Sequence, residues 1–268
     1  MNPHTKMKIL FLGCTAFSER LLIKLSNLEN IEIGAVFSIP QEFQISYSKE
    51  KVKNSNYVNL KPYADKLNIP FFEVESVEGK KLTDYKEFIE NYQPDAILVM
   101  GWYYMVPKSI RDLAKMGAWG IHASLLPKYA GGAPLVWAII EGEKETGVSL
   151  FQLSDGVDDG DLISQKSFPI TNTDTIKEVY EKATIASENI LDEIFRFPQD
   201  IIFKPQDKSK IQVYPQRKPE DGEIDLSWPA ERIYNFIRAQ SAPYPGAFIK
   251  SSDNKKIYIE SARYRNDT

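Results

Sequence analysis

The sequence predicts an α/β fold, with a doubly wound, mostly parallel sheet followed by a small C-terminal region of one helix and a hairpin. Short apolar runs such as K-I-L-F-L-G, residues 8–13, are typical of strands that are buried on both faces. Segments with apolar residues at helical spacing follow these runs in regular alternation. That alternation is the chain order of a parallel sheet, in which each helix crosses between two strands.

Each element is placed by its own stretch of this pattern. Apolar runs predict strands at residues 8–13, 31–37, 70–74, 96–100, 118–121 and 146–153. Helical spacing predicts helices at residues 19–28, 60–67, 82–92, 133–141 and 174–195. A proline-containing loop at residues 197–216 then marks a boundary between a domain of residues 1–200 and a subdomain of residues 201–268. The subdomain carries a helix at residues 229–239 and a hairpin that turns at residues 251–254.

The composition argues against several classes of protein. A formal net charge of −4 disfavours a protein that grips a long nucleic acid, which usually needs a basic face. One cysteine, Cys14, and two histidines, His4 and His122, argue against a disulfide and against a zinc site, so we expect no metal. The sequence shows no signal peptide and no run of about 18 apolar residues, so we expect no membrane contact and a cytoplasmic location.

The first turn of the predicted sheet, residues 13–18, bears on dinucleotide binding. It reads G-C-T-A-F-S and lacks the second and third glycines of G-x-G-x-x-G, which let a pyrophosphate approach the main chain. A nicotinamide or flavin dinucleotide is therefore disfavoured.

Three unusual segments follow predicted strands. They are G-W-Y-Y-M-V-P at residues 101–107, His122 after the strand 118–121, and an acidic loop, D-G-V-D-D-G-D, at residues 155–161. Ligands of such sheets gather at the carboxyl ends of the strands, so we expect these segments to meet at one crevice. A carboxylate partner fixes the tautomer of a catalytic histidine and stabilises its imidazolium. His122 is therefore a candidate general base, with one aspartate of the loop as its partner. The alternative is a core histidine held by one main-chain bond.

The residues after the histidine also have alternatives. Ser124 has no G-x-S-x-G elbow around it, so a turn or capping role is favoured over a nucleophile. Gly131 and Gly132 are expected to let a ligand approach closely, and the amides ahead of the helix at residues 133–141 to receive an anion. Lys128 either faces that ligand or is a solvated surface lysine. The acidic loop either faces the histidine or is a solvated turn, and the missing EF-hand spacing disfavours a calcium loop.

Longer stretches of the chain resemble one known family. The stretch G-I-H-A-S-L-L-P-K-Y, residues 120–129, leads into G-G-A-P and T-G-V-S, and the acidic loop follows. The tail carries R-K-P-E-D-G-E-I-D-L-S-W-P-A-E-R-I-Y-N-F-I-R-A from residue 217 and P-Y-P-G-A-F from residue 243. Together these motifs resemble the formyltransferases that use 10-formyltetrahydrofolate, and the likeness runs from Lys8 to Phe248. The combination is specific to that family, whereas no single piece is.

The resemblance implies a direct transfer of the formyl group from N10 of the folate to an amine, without a metal or a covalent enzyme intermediate. The family site is an Asn-x-His motif with an aspartate from the later acidic loop. The histidine corresponds to His122 and the aspartate to Asp158, whereas the asparagine position is Gly120. That asparagine helps to bind the formyl oxygen, and losing one such donor typically costs ~10²–10³ in rate. The resemblance thus makes residues 1–200 a catalytic domain with His122, Asp158 and Gly120 at its centre.

The resemblance also implies where the two substrates bind. The folate is expected at the loop after the fourth strand, the segment after the histidine and the acidic loop. Its expected contacts are Met100, Gly101, Trp102, Tyr103, Met105, Val106, Ser124, Leu125, Leu126, Pro127, Asp155, Gly156 and Asp158. The acceptor is expected at Lys128, Tyr129, Gly131 and Gly132.

The identity of the acceptor amine is less sharply specified. Initiator methionyl-tRNA and amino sugars on nucleotide carriers are the best-known acceptors of the family, while enzymes for glycinamide ribonucleotide lack the tail. The tRNA enzymes continue into a full C-terminal barrel, whereas 20 residues follow Phe248 here, and the acidic balance disfavours tRNA. We therefore expect a nucleotide-linked amino sugar, as in surface-glycan biosynthesis, with a methionyl-tRNA enzyme as the alternative. Because Gly120 replaces the asparagine, a formyl-folate hydrolase or a folate-binding pseudoenzyme is a further alternative, and a homodimer is compatible with each.

Overall fold

The computed structural model describes residues 6–44, 51–75 and 79–265, so that His4 lies outside the described residues. The strands are β1 (Met7–Leu12), β2 (Ile31–Ser38), β3 (Glu42–Phe43), β4 (Val52–Lys53), β5 (Phe71–Glu73), β6 (Ala96–Val99), β7 (Ala118–His122), β8 (Ala130–Gly131), β9 (Glu145–Gln152), β10 (Leu162–Pro169), β11 (Val213–Tyr214), β12 (Ala247–Lys250) and β13 (Lys256–Ile259). The helices are α1 (Ala16–Ser26), α2 (Lys61–Leu67), α3 (Lys86–Tyr92), α4 (Lys108–Arg111), α5 (Pro134–Ile140), α6 (Ile176–Arg196) and α7 (Ala230–Ala239).

The central sheet has seven strands in the order β10-β9-β7-β6-β1-β2-β5. From β5 to β7 all neighbours pair in parallel. β9 is antiparallel to β7 on one side and to β10 on the other. The predicted doubly wound, mostly parallel sheet is confirmed. Because the strand order reverses between β1 and β6, the carboxyl ends of β1, β6 and β7 border the crevice where such sheets bind ligands.

Helix α1 shows how the local sequence fixes the first crossover. Thr15 Oγ1 accepts a hydrogen bond from Ser18 N at 3.2 Å, and Ser18 Oγ accepts one from Thr15 N at 3.0 Å, which forms a capping box. The Ser18 hydroxyl also donates to Met100 O, directly after β6. The helix buries one leucine-rich face against the sheet, formed by Leu21, Leu22 and Leu25. The cap therefore sets the helix start and also ties it to the loop that follows β6.

One hydrophobic cluster runs through the sheet domain and the C-terminal region. It contains Phe11 and Trp119 of the sheet, Ile190 of α6, and Phe236 and Ala247 of the C-terminal region, all of them buried. α7 packs against α5. Because this burial removes apolar area from water on both sides at once, the C-terminal helix and hairpin fold against the sheet domain. Within the described ranges, no helix combines the length and apolarity that a membrane span requires.

Some elements differ from the sequence prediction. The stretch 82–92 divides into a 3-10 turn, Leu82–Tyr85, and α3. β10 was not predicted, because polar residues S-Q-K-S at 164–167 interrupt its apolar pattern, as an edge strand allows. β8 pairs in parallel with β11, and this contact spans more than 80 residues of chain, so no local pattern indicates it.

Candidate active site

His122 is the last residue of β7 and lies beside the end of β6 in the sheet. Its side chain is 10% exposed and that of Asp158 is 22% exposed. The ring atom Nδ1 lies 3.4 Å from Asp158 Oδ2, and Nε2 lies 2.7 Å from Tyr129 O. The structure thus brings together the histidine and the aspartate that the sequence pairs, in a site that is largely shielded from water.

Asp158 is held by two hydrogen bonds, one to its carboxylate and one to its carbonyl oxygen. Its Oδ2, which also faces His122, accepts a hydrogen bond from Gly131 N at 2.8 Å. Its carbonyl oxygen accepts one from Gln206 Nε2 at 2.8 Å. The φ angle of Asp158 is 50°, in the left-handed region that is unfavourable for residues with a Cβ. This turn and its two hydrogen bonds aim the carboxylate into the site.

Each of the two ring nitrogens of His122 faces an oxygen atom. A carbonyl oxygen can only accept, so the 2.7 Å contact with Tyr129 O is a hydrogen bond only when Nε2 carries a proton. The Asp158 carboxylate lies opposite Nδ1, the other ring nitrogen. The ring can accept a further proton only when one of its two nitrogens is unprotonated.

Gly120 lies buried on β7, two residues before the histidine. A Cβ atom at this position would lie 3.0 Å from Leu153 Cδ2, 3.5 Å from Phe151 Cε1 and 3.7 Å from Val99 O. Only the first distance is tighter than ordinary contact, and it involves the end of a half-buried leucine side chain. Leu153 therefore occupies part of the space that a side chain at position 120 would need.

The loop after β6 is anchored at both ends. Met100 and Val106 are buried, and Met100 N donates to Leu12 O at 2.8 Å. Gly101 has a φ of 71°, and a Cβ atom there would collide with the side chains of Thr15 and Ser18. These contacts fix where the loop leaves the sheet and where it returns.

The side chains between these anchors divide into two groups. Trp102 packs edge-on against Tyr104 at a ring distance of 6.1 Å, and both are half-buried over the core. Tyr103 is 46% exposed and donates to Asn54 Oδ1 at 3.1 Å, and Met105 is 82% exposed. Within the described part of the chain, the buried Trp102 Nε1 has no hydrogen-bond partner. The loop thus covers the sheet and leaves Tyr103 and Met105 accessible on its outer side.

The acidic loop distributes its charges among different partners. Asp155 is exposed and pairs with Arg111, which also donates to Leu153 O at 2.8 Å. Asp159 accepts from the Ser154 hydroxyl and pairs with Lys208 at 2.9 Å, and these contacts, the serine bond first, lower the pKa of Asp159. Asp158 is the member that faces the histidine, while Gly156 is exposed. Among the described residues, no group of three or more His, Cys, Asp or Glu side chains could hold a metal ion.

The segment after His122 is built mainly by internal bonds. Ser124 is buried, donates from Oγ to Lys128 O at 2.6 Å and accepts the Ser149 hydroxyl at its carbonyl oxygen. Leu126 is also buried, and its N donates to Ser149 Oγ at 3.0 Å. This geometry gives Ser124 the turn role that the sequence favours. Lys128 is exposed, and Leu125 and Pro127 are half-buried.

Tyr129 contributes its main chain rather than its side chain. The ring is buried, and its hydroxyl donates to Glu143 Oε1 at 2.9 Å. Burial and, after it, this hydrogen bond raise the pKa of Tyr129 far above its ordinary value. The side chain of Tyr129 therefore packs into the core and its carbonyl oxygen faces His122, while its expected contact with an acceptor stays a prediction.

The glycine pair packs against the β11 segment. Gly131 N donates to Asp158 Oδ2 and Gly132 N to Tyr214 O at 2.8 Å, so neither amide is free for an anion. Gly131 has a φ of 90°, and a Cβ atom there would lie 2.5 Å from Tyr214 O. A Cβ atom at Gly132 would collide with the main chain of Gln216. The small size of both residues admits the β11 segment, and the expectation that they also admit a ligand stays a prediction.

Sequence reasoning missed two residues that support the acidic loop. Arg111 lies on α4, and Gln206 lies in the connection between α6 and β11. Both are single polar residues, each more than 40 positions from the loop atoms that they bind. No spacing or motif in the sequence indicates them, because their role depends on tertiary contacts alone.

Two family models match this chain, and several known proteins are similar to it in sequence. The family model described as formyl transferase matches residues 7–194, and the model described as formyl transferase, C-terminal domain, matches residues 217–268. The chain is 35% identical over 209 residues to the bifunctional polymyxin resistance protein ArnA of Wigglesworthia glossinidia brevipalpis, covering 76% of this chain and 31% of that protein. It is 34% identical over 206 residues to the methionyl-tRNA formyltransferase of Koribacter versatilis, covering 76% and 65%. The chain thus spans less than two thirds of either protein. A methionyl-tRNA formyltransferase of a Geobacillus species is 31% identical over 252 residues, covering 92% and 76%.

Solved structures support the fold at lower identity. A 4-N formyltransferase from Francisella tularensis superposes with a TM-score of 0.70 at 13% identity, covering 98% of this chain and 99% of that chain. An N-formyltransferase from Helicobacter canadensis, in complex with folinic acid and dTDP-3-aminofucose, gives a TM-score of 0.65 at 20% identity, covering 87% and 80%. At these identities, the likeness establishes the fold.

Proposed function

Because the chain belongs to the formyl transferase family, we propose that it transfers a formyl group from 10-formyltetrahydrofolate to the amino group of a nucleotide-linked amino sugar. The observation that carries this proposal is the shielded pair of His122 and Asp158, whose Nδ1 and Oδ2 atoms lie 3.4 Å apart. An amine that attacks a formyl carbon must lose a proton, and a histidine with a carboxylate partner is suited to accept it.

The loop after β6 fits the folate. Tyr103 and Met105 present exposed apolar surface, and the buried Trp102 Nε1, without a partner among the described residues, is a donor that a ligand oxygen can satisfy. When bound, 10-formyltetrahydrofolate supplies the formyl group and leaves as tetrahydrofolate. The Helicobacter protein that shares this fold was solved with folinic acid, which supports a folate as the donor here.

The proposed proton movements begin at the acceptor. The amine attacks in its neutral form, since an ammonium has no lone pair. As the new C–N bond forms, the nitrogen becomes acidic, and His122 takes its proton. Asp158 stabilises the imidazolium, which then also steadies the negative charge that develops on the formyl oxygen. When the bond to N10 of the folate breaks, His122 returns the proton to that nitrogen. The imidazolium contributes more to stabilising the formyl oxygen here, because Gly120 has no side chain and offers only a main-chain amide.

Two observations support an amino-sugar nucleotide as the acceptor. The Helicobacter protein was solved with dTDP-3-aminofucose, and it shares the fold over 87% of this chain. The net charge of −4 is unfavourable for gripping a tRNA. Lys128, which is exposed on the segment after His122, is positioned as a candidate contact for the phosphates of the nucleotide.

Methionyl-tRNA is the second candidate acceptor, and two of the similar proteins support it. Two of the similar curated proteins are methionyl-tRNA formyltransferases, at 34% and 31% identity. A single experiment separates the candidates: labelled 10-formyltetrahydrofolate is incubated with a panel of amino-sugar nucleotides, with methionyl-tRNA, or with no acceptor. We expect label in a sugar amide. Label in formylmethionyl-tRNA would favour the second candidate, label in formate without acceptor a hydrolase, and folate binding without turnover a pseudoenzyme.

A further inference from the structure

The connection between α6 and β11 runs along the acidic loop. Lys204 and Leu162 exchange main-chain hydrogen bonds, both at 2.8 Å, and Lys208 pairs with Asp159 at 2.9 Å. Between these contacts, Gln206 Nε2 donates to Asp158 O at 2.8 Å and to Gly160 O at 2.7 Å. One side-chain amide therefore bridges the two carbonyl groups that flank Asp159.

The orientation of the Gln206 side chain follows from these two bonds. Gln206 is 8% exposed, and only an NH₂ group can donate to two carbonyl oxygens. Its Oε1 is buried without a hydrogen-bond partner within the described ranges. The side chain is thus held by its contacts with the Asp158–Gly160 turn and not by its own oxygen.

The same connection also reaches the other side of the Asp158 carboxylate. Continuing along the chain, β11 pairs with β8, where Gly131 N donates to Asp158 Oδ2. One segment, residues 204–214, therefore contacts both the turn that carries Asp158 and the strand that binds its carboxylate. Because Asp158 has a φ of 50°, which its neighbours must maintain, loss of the Gln206 bonds would leave this turn free to relax.

We propose that Gln206 is a positioning residue of the active site: its amide fixes the Asp158 turn so that the carboxylate stays against His122. The inference rests on the proposed function only where turnover is measured. A glutamine that served solely to stabilise the fold would leave the His122–Asp158 contact unchanged in folded variants. The two roles therefore predict different results.

The test compares Gln206→Met and Gln206→Glu with the matched control Lys208→Ala. Methionine keeps the length without donors, and glutamate keeps the shape but places acceptors against two carbonyls. The control removes the neighbouring contact with Asp159 and leaves Gln206 intact. Two readouts are followed in the full chain: kcat and KM for the formyl transfer, and the NMR signals of the His122 ring at one fixed pH. His4, the other histidine, serves as an internal reference.

We expect both Gln206 variants to lose about 10²-fold in kcat, the size of effect that follows a misplacement of about 1 Å, with KM for the folate changed much less. We also expect the His122 ring signals to shift in both variants, because the carboxylate that faces Nδ1 moves, whereas Lys208→Ala resembles wild type in both readouts. Unchanged His122 signals in a folded Gln206 variant would overturn the proposal. Failure of both variants to fold while Lys208→Ala folds would likewise assign Gln206 to fold stability alone. Shifted signals in a protein whose wild type shows no formyl transfer would support the positioning role and refute the proposed function.

Discussion

Restoring an asparagine at position 120 tests the proposed chemistry most directly. In Gly120→Asn, the new amide would lie on β7 two residues before His122, where the family places its donor to the formyl oxygen. Such a donor typically contributes ~10²–10³ in rate, or about 2.7–4 kcal/mol. We expect the lower end, about 10²-fold in kcat, because the His122 imidazolium already supplies part of this stabilisation.

The structure also indicates the stability change that this substitution brings. The one tight contact is the 3.0 Å approach of the added Cβ atom to Leu153 Cδ2, and φ at Gly120 is not in the left-handed region. Overpacking typically lowers stability by about 1–3 kcal/mol. Only the end of one leucine side chain must move here, so we expect a cost of about 1 kcal/mol. Replacing a mid-strand glycine returns about 0.5–1 kcal/mol. We therefore expect a near-neutral stability, and Leu153→Ala should create the remaining space.

The assay measures initial rates of labelled formyl transfer at saturating donor, with thermal unfolding recorded for each variant. Gly120→Asn is compared with Gly120→Ala, both alone and together with Leu153→Ala. Alanine adds the same Cβ atom without a donor, so only the asparagine series should become faster. If the asparagine double variant folds but is no faster than the alanine double variant, then position 120 does not face the formyl oxygen and the reasoning fails.

The remaining predictions concern the other site residues. His122→Asn should nearly abolish kcat while folate binding is largely kept, because proton transfer is lost; turnover near the wild-type rate would make His122 a core residue. Asp158→Asn should also lower kcat, since the asparagine oxygen can still accept from Gly131 N but no longer carries the charge that stabilises the imidazolium. Lys128→Ala should raise KM for the sugar nucleotide more than KM for the folate, and equal KM values in both proteins would remove Lys128 from the acceptor site. Titration with a folate analogue should change tryptophan fluorescence in wild type but much less in Trp102→Phe, and an equal change in both would move the folate away from this loop.

The sheet and the central pair were accessible from the sequence for physical reasons. Apolar runs are typical of buried strands, and they marked six of the seven strands of the sheet within a few residues, all except β10. A parallel sheet collects the carboxyl ends of its strands at one edge, and on this basis the sequence predicted that His122 and the acidic loop meet. The structure brings Asp158 to His122 by another route, because β9 is antiparallel to β7 and its last residue, Gln152, pairs with Trp119 near the start of β7. The contact therefore depends on the course of the acidic loop itself. The edge strand β10 lacks an unbroken apolar run, and its polar residues concealed it.

The rest of the site depends on contacts between distant segments. Gly131 and Gly132 read as a ligand-binding turn, but the group that fills the space beside them is the main chain at residues 214–216. Tyr129 is followed by glycines and preceded by a lysine, yet its ring is buried and bonded to Glu143. A glycine shows only that something approaches closely, and the sequence alone does not distinguish a ligand from a second piece of the same chain.

The loss of the family asparagine and the surroundings of His122 bear on the same step. Both ring nitrogens face oxygens, Tyr129 O at 2.7 Å and Asp158 Oδ2 at 3.4 Å. A base in such a site starts neutral and becomes cationic as the acceptor nitrogen gives up its proton. In the proposed transfer, the positive charge on the ring therefore grows as negative charge grows on the formyl oxygen. One residue can first accept the proton and then provide the positive charge opposite the formyl oxygen, without a separate donor at position 120. The same coupling makes the rate sensitive to the position of Asp158, and hence to the chain segments that hold it.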